Sequence, residues 1–436
     1  MLQRYLGNKS TLTRDIVGIV QDLALPGERV CDAFSGSLAV SLALRRAGYI
    51  VSANDINILS WVYGVAFLKR DSLPTVRLED LFGRASDGIL AKGLKIIQQA
   101  EPVAHAWERI GAIDAAAVWS GLIADIFSPY KRSDVPRNQR RTDFYDHYCA
   151  EGAKSAFLSS RGTSGRRRYL TGDNAAALDR AASRIRYWHR NGIIDEDVRC
   201  LLTAVTLDSV ERVANIQGTY HDFPRDFYDP RALKPIAASL PLPSSFTLGP
   251  RSDQVGKSLD SLDFVKTVPP HAVLYLDPPY NFRQYTSYYF LPNLIAEYPE
   301  IDDLDAYFAD IKYVRGQNLN SEFASTFCSA KTFLSSLADI VSSSQCRHVV
   351  LSYFNGKNHW NDFKSGTCSR GRGELERFFS SDLFVPGSLK VQPVKRLNYQ
   401  SYGGHRALEV SEYLFIAEKA AITASSTIED KRYAVV

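Results

Sequence analysis

The stretch that most limits how this chain can fold is Leu276-Asp277-Pro278-Pro279-Tyr280, preceded by the apolar run Ala272-Val273-Leu274-Tyr275. A short run of β-branched and aromatic residues halted by two prolines reads as a buried strand ending in a rigid turn. A carboxylate and an aromatic ring are thereby held at the carboxyl end of a strand. Asp277 accepts from an amino group, the prolines leave carbonyls without competing N–H donors, and Tyr280 offers a flat face. That set suits a planar base with an exocyclic amine. A Pro-Pro turn whose Asp caps a neighbour and whose Tyr is core would use the same residues, so the rest of the chain has to decide.

Near the start, Tyr5-Leu6-Gly7-Asn8-Lys9-Ser10 leads into a helix with Ile16, Ile19, Val20 and Leu23 on one face and Ser10 at its N-cap. Arg29-Val30-Cys31 reads as a strand entering Asp32-Ala33-Phe34-Ser35-Gly36-Ser37, followed by an amphipathic run to Arg46 and a stop at Gly48. Strand, glycine-bearing turn and helix make the first half of a nucleotide-type βαβ unit. A second strand, Tyr49 to Ala53, ends at Asn54-Asp55, and Asp55 stands 23 residues after Asp32. An acid about 20 residues on meets a ribose diol in such folds. Service as a helix cap before Ile56 is the alternative use of Asp55.

With 436 residues the chain exceeds what one core usually serves, so a large domain carrying an insertion is expected. Apolar residues make up 45% and charged residues 23%, ordinary values for a soluble globular protein. No apolar run approaches the roughly 20 residues that span a bilayer, and Met1 to Tyr5 opens no secretory stretch, so no membrane and a cytoplasmic location are expected. The six cysteines (Cys31, Cys149, Cys200, Cys328, Cys346, Cys368) are scattered, with no metal-ligand spacing, and read as reduced structural thiols rather than a metal site.

The net charge of +4 is unevenly placed: Lys131 to Arg190 holds fourteen Lys/Arg against six acids, +8 in sixty residues, leaving −4 elsewhere. Such a concentration is an electrostatic footprint for a polyanion, or a solvated face. From about Ile58 to Arg212 the pattern is mainly helical, with Trp61, Phe67, Ile96, Trp107, Ile110 and Trp119 as expected core. Lys131 to Arg168 breaks that pattern, and Ser159 to Arg168, with Arg161, Arg166, Arg167 and Arg168, reads as a mobile basic loop. Asn215 to Arg225, including Tyr220, is a turn-rich loop. A helix from about Glu322 to Val341, a strand Arg347 to Ser352, a helix Glu374 to Phe379 and strands near Lys390 to Val394 and Glu412 to Ile416 would complete an open sheet.

In their order, these motifs resemble the DNA adenine-N6 methyltransferases of the alpha group, the Dam-type enzymes that use S-adenosylmethionine. Tyr5 to Lys9 comes first, then Asp32 to Gly36, Asn54-Asp55, a long recognition stretch, and only then Asp277-Pro278-Pro279-Tyr280; Arg283-Gln284-Tyr285 and Glu412-Tyr413-Leu414-Phe415 extend the likeness. The resemblance implies an α/β, Rossmann-like sheet with helices on both faces, built from residues 1–70 and 245–420, with a mainly helical recognition insert at 71–244 and a tail at 421–436. It implies that Tyr5, Gly7 and Lys9 line the methionine side of the cofactor, with Asp32 at the strand end beside them. Phe34 and Gly36 would shape the pocket and Asp55 hold the ribose. Asp277 and the carbonyl of Pro278, backed by Pro279, would accept from the target amine, and Tyr280 would stack on a flipped base. Arg161, Arg166, Arg167, Arg168, Tyr220, Arg283 and Tyr285 would meet double-stranded DNA, with no metal required. A cognate restriction endonuclease or a phage-defence system is an accompaniment that the resemblance allows.

Two departures stand out. Family members usually carry glycine where this chain has Leu38, which would crowd the methionine end of the cofactor. The acid expected to touch the cofactor's adenine is either Asp260 or Asp263. Structured RNA as substrate, and an inactive DNA-binding protein on the same fold, are the competing readings. A protein-glutamine methyltransferase fits less well, since that group resembles Asn-Pro-Pro-Tyr.

Overall fold

The computed structural model describes residues 5, 7–131, 134–246, 253–311, 313–321, 323–355, 358–360, 370–396 and 410–421. Its strands in chain order are β1 (Arg29–Asp32), β2 (Ile50–Ala53), β3 (Ala156–Leu158), β4 (Ser164–Arg166), β5 (Gln254–Val255), β6 (His271–Leu276), β7 (Cys346–Phe354), β8 (Lys390–Arg396) and β9 (Val410–Glu418). Seven of them form one sheet in the order β5-β2-β1-β6-β7-β9-β8, and β3-β4 is a separate hairpin. β5, β2, β1, β6 and β7 run parallel, whereas β9 is antiparallel to both of its neighbours.

Helices α1 (Thr13–Leu23), α2 (Ala39–Arg46) and α3 (Ile58–Tyr63) accompany the first two strands. Between β2 and β5 lie α4 (Leu78–Phe82), α5 (Ser86–Gln99), α6 (Glu101–Glu108), α7 (Ile113–Asp125), α8 (Asp143–Tyr148), α9 (Gly172–Arg190) and α10 (Glu196–Val213), with the hairpin between α8 and α9. The remainder are α11 (Ser261–Thr267), α12 (Tyr285–Tyr288), α13 (Phe290–Glu297), α14 (Leu304–Ala309), α15 (Phe333–Ser343) and α16 (Arg370–Phe379). Among the described residues no helix is long and apolar enough to cross a membrane.

Strand alternation sorts the core into two halves. Val30, Val273, Tyr275, Val350, Leu414 and Ile416 point to one face, where they meet α1, α2, α3 and the tryptophans of the helical region, Trp107, Trp119 and Trp188. Cys31, Leu274, Leu276, Leu351, Phe415 and Ala417 point to the other, against α11, α15 and α16. A parallel sheet covered on both faces needs strands apolar throughout, and every residue of β6 is buried.

The topology also fixes where a ligand binds. From β1 the chain winds outward to β2 and β5, then returns to the opposite side of β1 as β6. The strand order reverses there, and the crevice beyond the carboxyl ends of β1 and β6 is where open α/β sheets bind ligands. Asp32 closes β1, and Asp277 follows β6.

Several sequence expectations need correcting. The first helix starts at Thr13 with Leu12, not Ser10, at its cap. The helix expected from Glu322 begins only at Phe333, because Leu319–Ser321 and Thr326–Cys328 form isolated 3-10 turns. Ile110 is exposed, in the turn that follows α6, while Trp61, Phe67, Trp107 and Trp119 are buried. The basic loop is the β3-β4 hairpin, closed by hydrogen bonds between Ser159 and Thr163. Leu6, Arg132, Cys368 and most of the tail lie outside the described residues; the other five cysteines are free and buried.

Candidate active site

A cleft of about 860 Å³, counting the solvent at its mouth, occupies the reversal point. The turn after β1 forms its floor. Gly36 adopts φ +49° and donates its N–H to Asp55 Oδ2 at 2.9 Å, while Ser60 Oγ donates to its carbonyl. A Cβ at Gly36 would lie 2.7 Å from the ring of Tyr5, itself stacked on Tyr289 with centroids 4.5 Å apart. The left-handed conformation costs an L-residue roughly 1–2 kcal/mol even before that collision. Gly36→Ala is therefore expected to weaken ligand binding in this cleft at least about tenfold by displacing Tyr5; calorimetry giving the parental affinity would show that the Tyr5 wall yields freely.

Asp55 does more than its spacing foretells. Its Oδ1 accepts from the backbone and side chain of Asn57 at 2.9 and 2.8 Å, and its Oδ2 holds Gly36, so the carboxylate that lines the cleft also clamps its floor. Asn54, which the sequence pattern did not single out, brackets Leu259 with both ends of its amide, at 2.9 and 3.3 Å. That bracket brings Asp260 to the cleft wall. Asp263 lies away from it, exposed and paired with Lys266 at 2.9 Å. Leu38 adopts a left-handed conformation, φ 62°, but its side chain is buried in the larger core and does not line the cleft. The expected crowding of the methionine end is absent, and burying a leucine, about 2 kcal/mol, offsets the backbone cost.

Asp32 is buried; its Oδ2 accepts from Ser41 Oγ at 2.6 Å, and its Oδ1 has no hydrogen-bond partner among the described residues. Loss of hydration, with Asp277 and Asp55 nearby, pushes its carboxyl up to about 7. Asp277 is held differently. Lys9, buried, sets its ammonium 3.0 Å from Asp277 Oδ1 and 2.7 Å from Glu412 Oε1, and 5.9 Å from the centre of the Tyr280 ring. Lys9 thus grips the strand-end carboxylate as well as lining the cleft. Tyr280 is buried against Tyr353 and Phe354, and Phe34 meets Phe327 edge-on at 5.0 Å.

Comparison with known proteins matches this arrangement to one family. The description "D12 class N6 adenine-specific DNA methyltransferase" fits residues 5–75, the stretch carrying Tyr5, Gly7, Lys9, Asp32, Gly36 and Asp55. Over 278 residues the chain is 29% identical to the Type II methyltransferase M.NlaIII of Neisseria lactamica, an alignment taking in 63% of this chain and 71% of that one. Residues 5–75 thus carry the D12-class pattern, and the chain is similar to N6-adenine DNA methyltransferases of that class. The Type II methyltransferase M.FokI of Planomicrobium okeanokoites is 26% identical over 62% of this chain and 38% of its own length. The modification methylase StsI of Streptococcus sanguinis is 23% identical over 98% of this chain and 53% of its own. The chain therefore spans about half of one of these longer relatives and under two-fifths of the other.

The methyl donor of that class is S-adenosylmethionine, and the cleft of this chain fits it. Among the described residues four carboxylates line the wall, Asp32, Asp55, Asp260 and Asp277, against the single ammonium of Lys9. A ligand with an ammonium and a sulfonium against one carboxylate carries net positive charge and offsets that excess.

The residues expected to meet DNA separate into two groups. Arg161 is exposed in the hairpin turn, and Arg168 and Arg283 are half-exposed, Arg283 lying 5.8 Å over the Tyr288 ring. Arg167 is buried, donating to the carbonyls of Val314, Tyr313, Lys154 and His147, so the phosphate contact expected of it is corrected to a structural role. Arg166 spends one guanidinium nitrogen on Ala150, Gly152 and Ser155. Tyr220 is core, packed on Tyr169 and Phe290, and Tyr285 belongs to the cleft wall beside Tyr5.

Much of the remaining basic segment is also spent internally. Arg184 binds Asp134 and the carbonyls of Ile126, Ser128 and Pro129, and Arg186 and Arg190 tie α9 to residues 298–302. Among the described residues one acidic trio has metal-ligand spacing, His189, Glu196 and Glu300, and there Arg199 and Lys257 already pair with the carboxylates.

Proposed function

We propose that the protein methylates the 6-amino group of adenine turned out of duplex DNA at a specific sequence, with Asp277 as the acceptor that orients the amine. The observation that carries this reading is the grip on Asp277. A carboxylate beyond β6, 15% exposed and fixed by Lys9, opens into the cleft that holds Asp32 and Asp55. S-adenosylmethionine supplies a methyl group on a sulfonium, a leaving group that departs without a proton or a metal. Asp277 and the carbonyl of Pro278 accept hydrogen bonds from the two amine hydrogens, which favours a pyramidal nitrogen whose lone pair faces the methyl; as the N–C bond forms the C–S bond breaks to leave a thioether, and the surplus amine proton then passes by way of Asp277 to solvent. Tyr280 is buried against Tyr353 and Phe354 outside the cleft lining, so it stacks on the base only once its ring turns out, and that contact then offsets part of the few kcal/mol spent on unstacking. Pro279 stiffens the turn between them. Most of the acceleration then comes from positioning. Asp32 accepts from the ammonium of the donor, Asp55 from its ribose, and Tyr5, Gly7, Phe34 and Gly36 close the wall.

The DNA face runs from the hairpin to the segment after the catalytic turn. Phe157 meets Phe223 edge-on at 5.3 Å, and Leu158, Phe223 and Phe282 are exposed among Arg161, Arg168 and Arg283, the mixture of cation and ring that suits an opened duplex. Neutralising Arg161 and Arg168 together is expected to weaken all DNA sequences alike and to lower the slope of log K against log salt by about two. A changed site preference in that variant would instead make the hairpin a base reader.

The region from 71 to 244 is read as the recognition insert, and residues 1–70 with 245–420 as the transferase. The names of the relatives, Type II methyltransferase and modification methylase, support a restriction-modification setting; a phage-defence setting is the alternative, and a cytoplasmic location at the host DNA goes with either. The substrate class is tested with labelled methyl donor offered to duplex DNA and to structured RNA of the same sequence. Transfer to DNA is expected, and transfer to RNA alone would replace this reading with its competitor.

A further inference from the structure

Polar side chains from four adjacent strands gather on one face of the sheet. Asp32 pairs with Tyr275 in the β1-β6 register, Tyr275 with Val350 in β6-β7, and Ser352 and Phe354 with Leu414 and Glu412 in β7-β9. Alternation from Val30, Val273, Val350 and Leu414 then turns Asp32, Tyr275, Asp277, Ser352 and Glu412 all toward the α1 side, where Lys9 lies. Glu412 is wholly buried, and its Oε1 accepts from Lys9 Nζ at 2.7 Å and from Ser352 Oγ at 2.8 Å. It sits behind Lys9 and is not part of the cleft wall. Lys9 is thus shared between a carboxylate that faces the substrate and one that does not.

This sharing has an electrostatic consequence. Were Lys9 paired with Asp277 alone, the pair would be neutral and would stabilise poorly the positive charge that grows on the amine during transfer. We propose that Glu412 is a positioning residue for methyl transfer: it takes up the charge of Lys9, so that Lys9 fixes the direction of Asp277 without cancelling its negative charge. The proposal rests on the reading of Asp277 as the acceptor of the target amine. Among the described residues Asp32 from β1, Tyr275 from β6 and Tyr285 from α12 also face Asp277.

Steady-state methylation of duplex DNA across pH tests this with four proteins: the parent, Glu412→Gln, Lys9→Met and the double variant. Gln retains the volume and the oxygen that accepts from Ser352. Glu412→Gln is expected to lower kcat about tenfold, leave KM for S-adenosylmethionine within about threefold, and move the acid limb of kcat to lower pH, because Lys9 now acts on Asp277 alone. Lys9→Met leaves the buried Glu412 and the part-buried Asp277 without a cation and should move that limb upward, with kcat at pH 7 down about a hundredfold. The double variant restores one anion at Asp277 and should recover about tenfold over Lys9→Met, with an acid limb near that of the parent.

A Glu412→Gln protein with parental kcat and pH profile, or a double variant no better than Lys9→Met, overturns the proposal. Melting and cofactor-binding curves establish that each variant is folded. Should Glu412→Gln fail to fold, the double variant carries the test, since parental kcat there shows that neither charge matters. A parent that does not methylate DNA sinks the proposed function instead, which keeps the two failures apart.

Discussion

Asp277→Ala is expected to lower the single-turnover rate of methyl transfer about a thousandfold, near the effect of removing one preorganised polar contact from a transition state. The fold should survive, because Lys9 keeps its partner: Glu412 remains 2.7 Å away, so the deletion strands no buried cation. Binding of S-adenosylmethionine should stay within a few-fold, since Asp32, Asp55 and Asp260 still line the cleft. Binding of duplex DNA should change as little, because phosphate contacts do not involve the base pocket. Rate, cofactor affinity and DNA affinity measured on one preparation separate the outcomes. Rate and affinity falling together would mean that Asp277 serves binding, and a rate near that of the parent would remove it from the chemistry.

The second large effect concerns Asp32 and carries opposite signs for stability and function. Its carboxyl is raised to about 7 by burial, above the value of roughly 3.9 it has in an unfolded chain. The folded state therefore binds more protons between those values, and its stability falls as pH rises through that window. At pH 8 the ionised Asp32 costs the unliganded protein about 4 kcal/mol. Asp32→Asn, which still accepts from Ser41, is expected to be more stable than the parent by a few kcal/mol at pH 8, about equally stable near pH 4, and flatter in between. The same change removes a charged acceptor from the cleft and should weaken S-adenosylmethionine binding at least about tenfold. Denaturant melts at the two pH values with calorimetry at pH 8 check both halves. Unchanged cofactor affinity, with parental pH dependence of stability, would mean that Asp32 is merely a buried structural acid.

The strand-turn units were legible in the sequence because each is local. β1 with its glycine turn, β2 running on into Asn54-Asp55, and β6 running into Asp277 declare themselves within a few residues, and all three meet at one cleft. What was hidden depends on partners far along the chain. Lys9 and Glu412 are 403 residues apart, and only the strand register brings Ser352 and Glu412 to the face where Lys9 waits. A signal was present, since Glu412 has the parity of Leu414 and Ile416, and an acid on the apolar face of a strand needs a buried partner.

The arginines misled for a related reason. Arg167 stands beside Arg166 and Arg168 in a Gly/Ser-rich run, yet carbonyls of Tyr313 and Val314, some 147 residues on, absorb its guanidinium. A count of charges registers basic side chains but not the backbone carbonyls that neutralise their need for partners. Leu38 shows the converse: an apparent violation at a glycine position is tolerated because the side chain turns into the core and leaves the cleft clear.

The most direct test of the central claim is the chemical identity of the product. Duplex DNA incubated with the protein and labelled S-adenosylmethionine, digested to nucleosides and resolved by mass spectrometry, is expected to carry the label as N6-methyladenine with the parent and to lose it with Asp277→Ala. Label on cytosine, or N6-methyladenine formed undiminished by Asp277→Ala, would contradict the account.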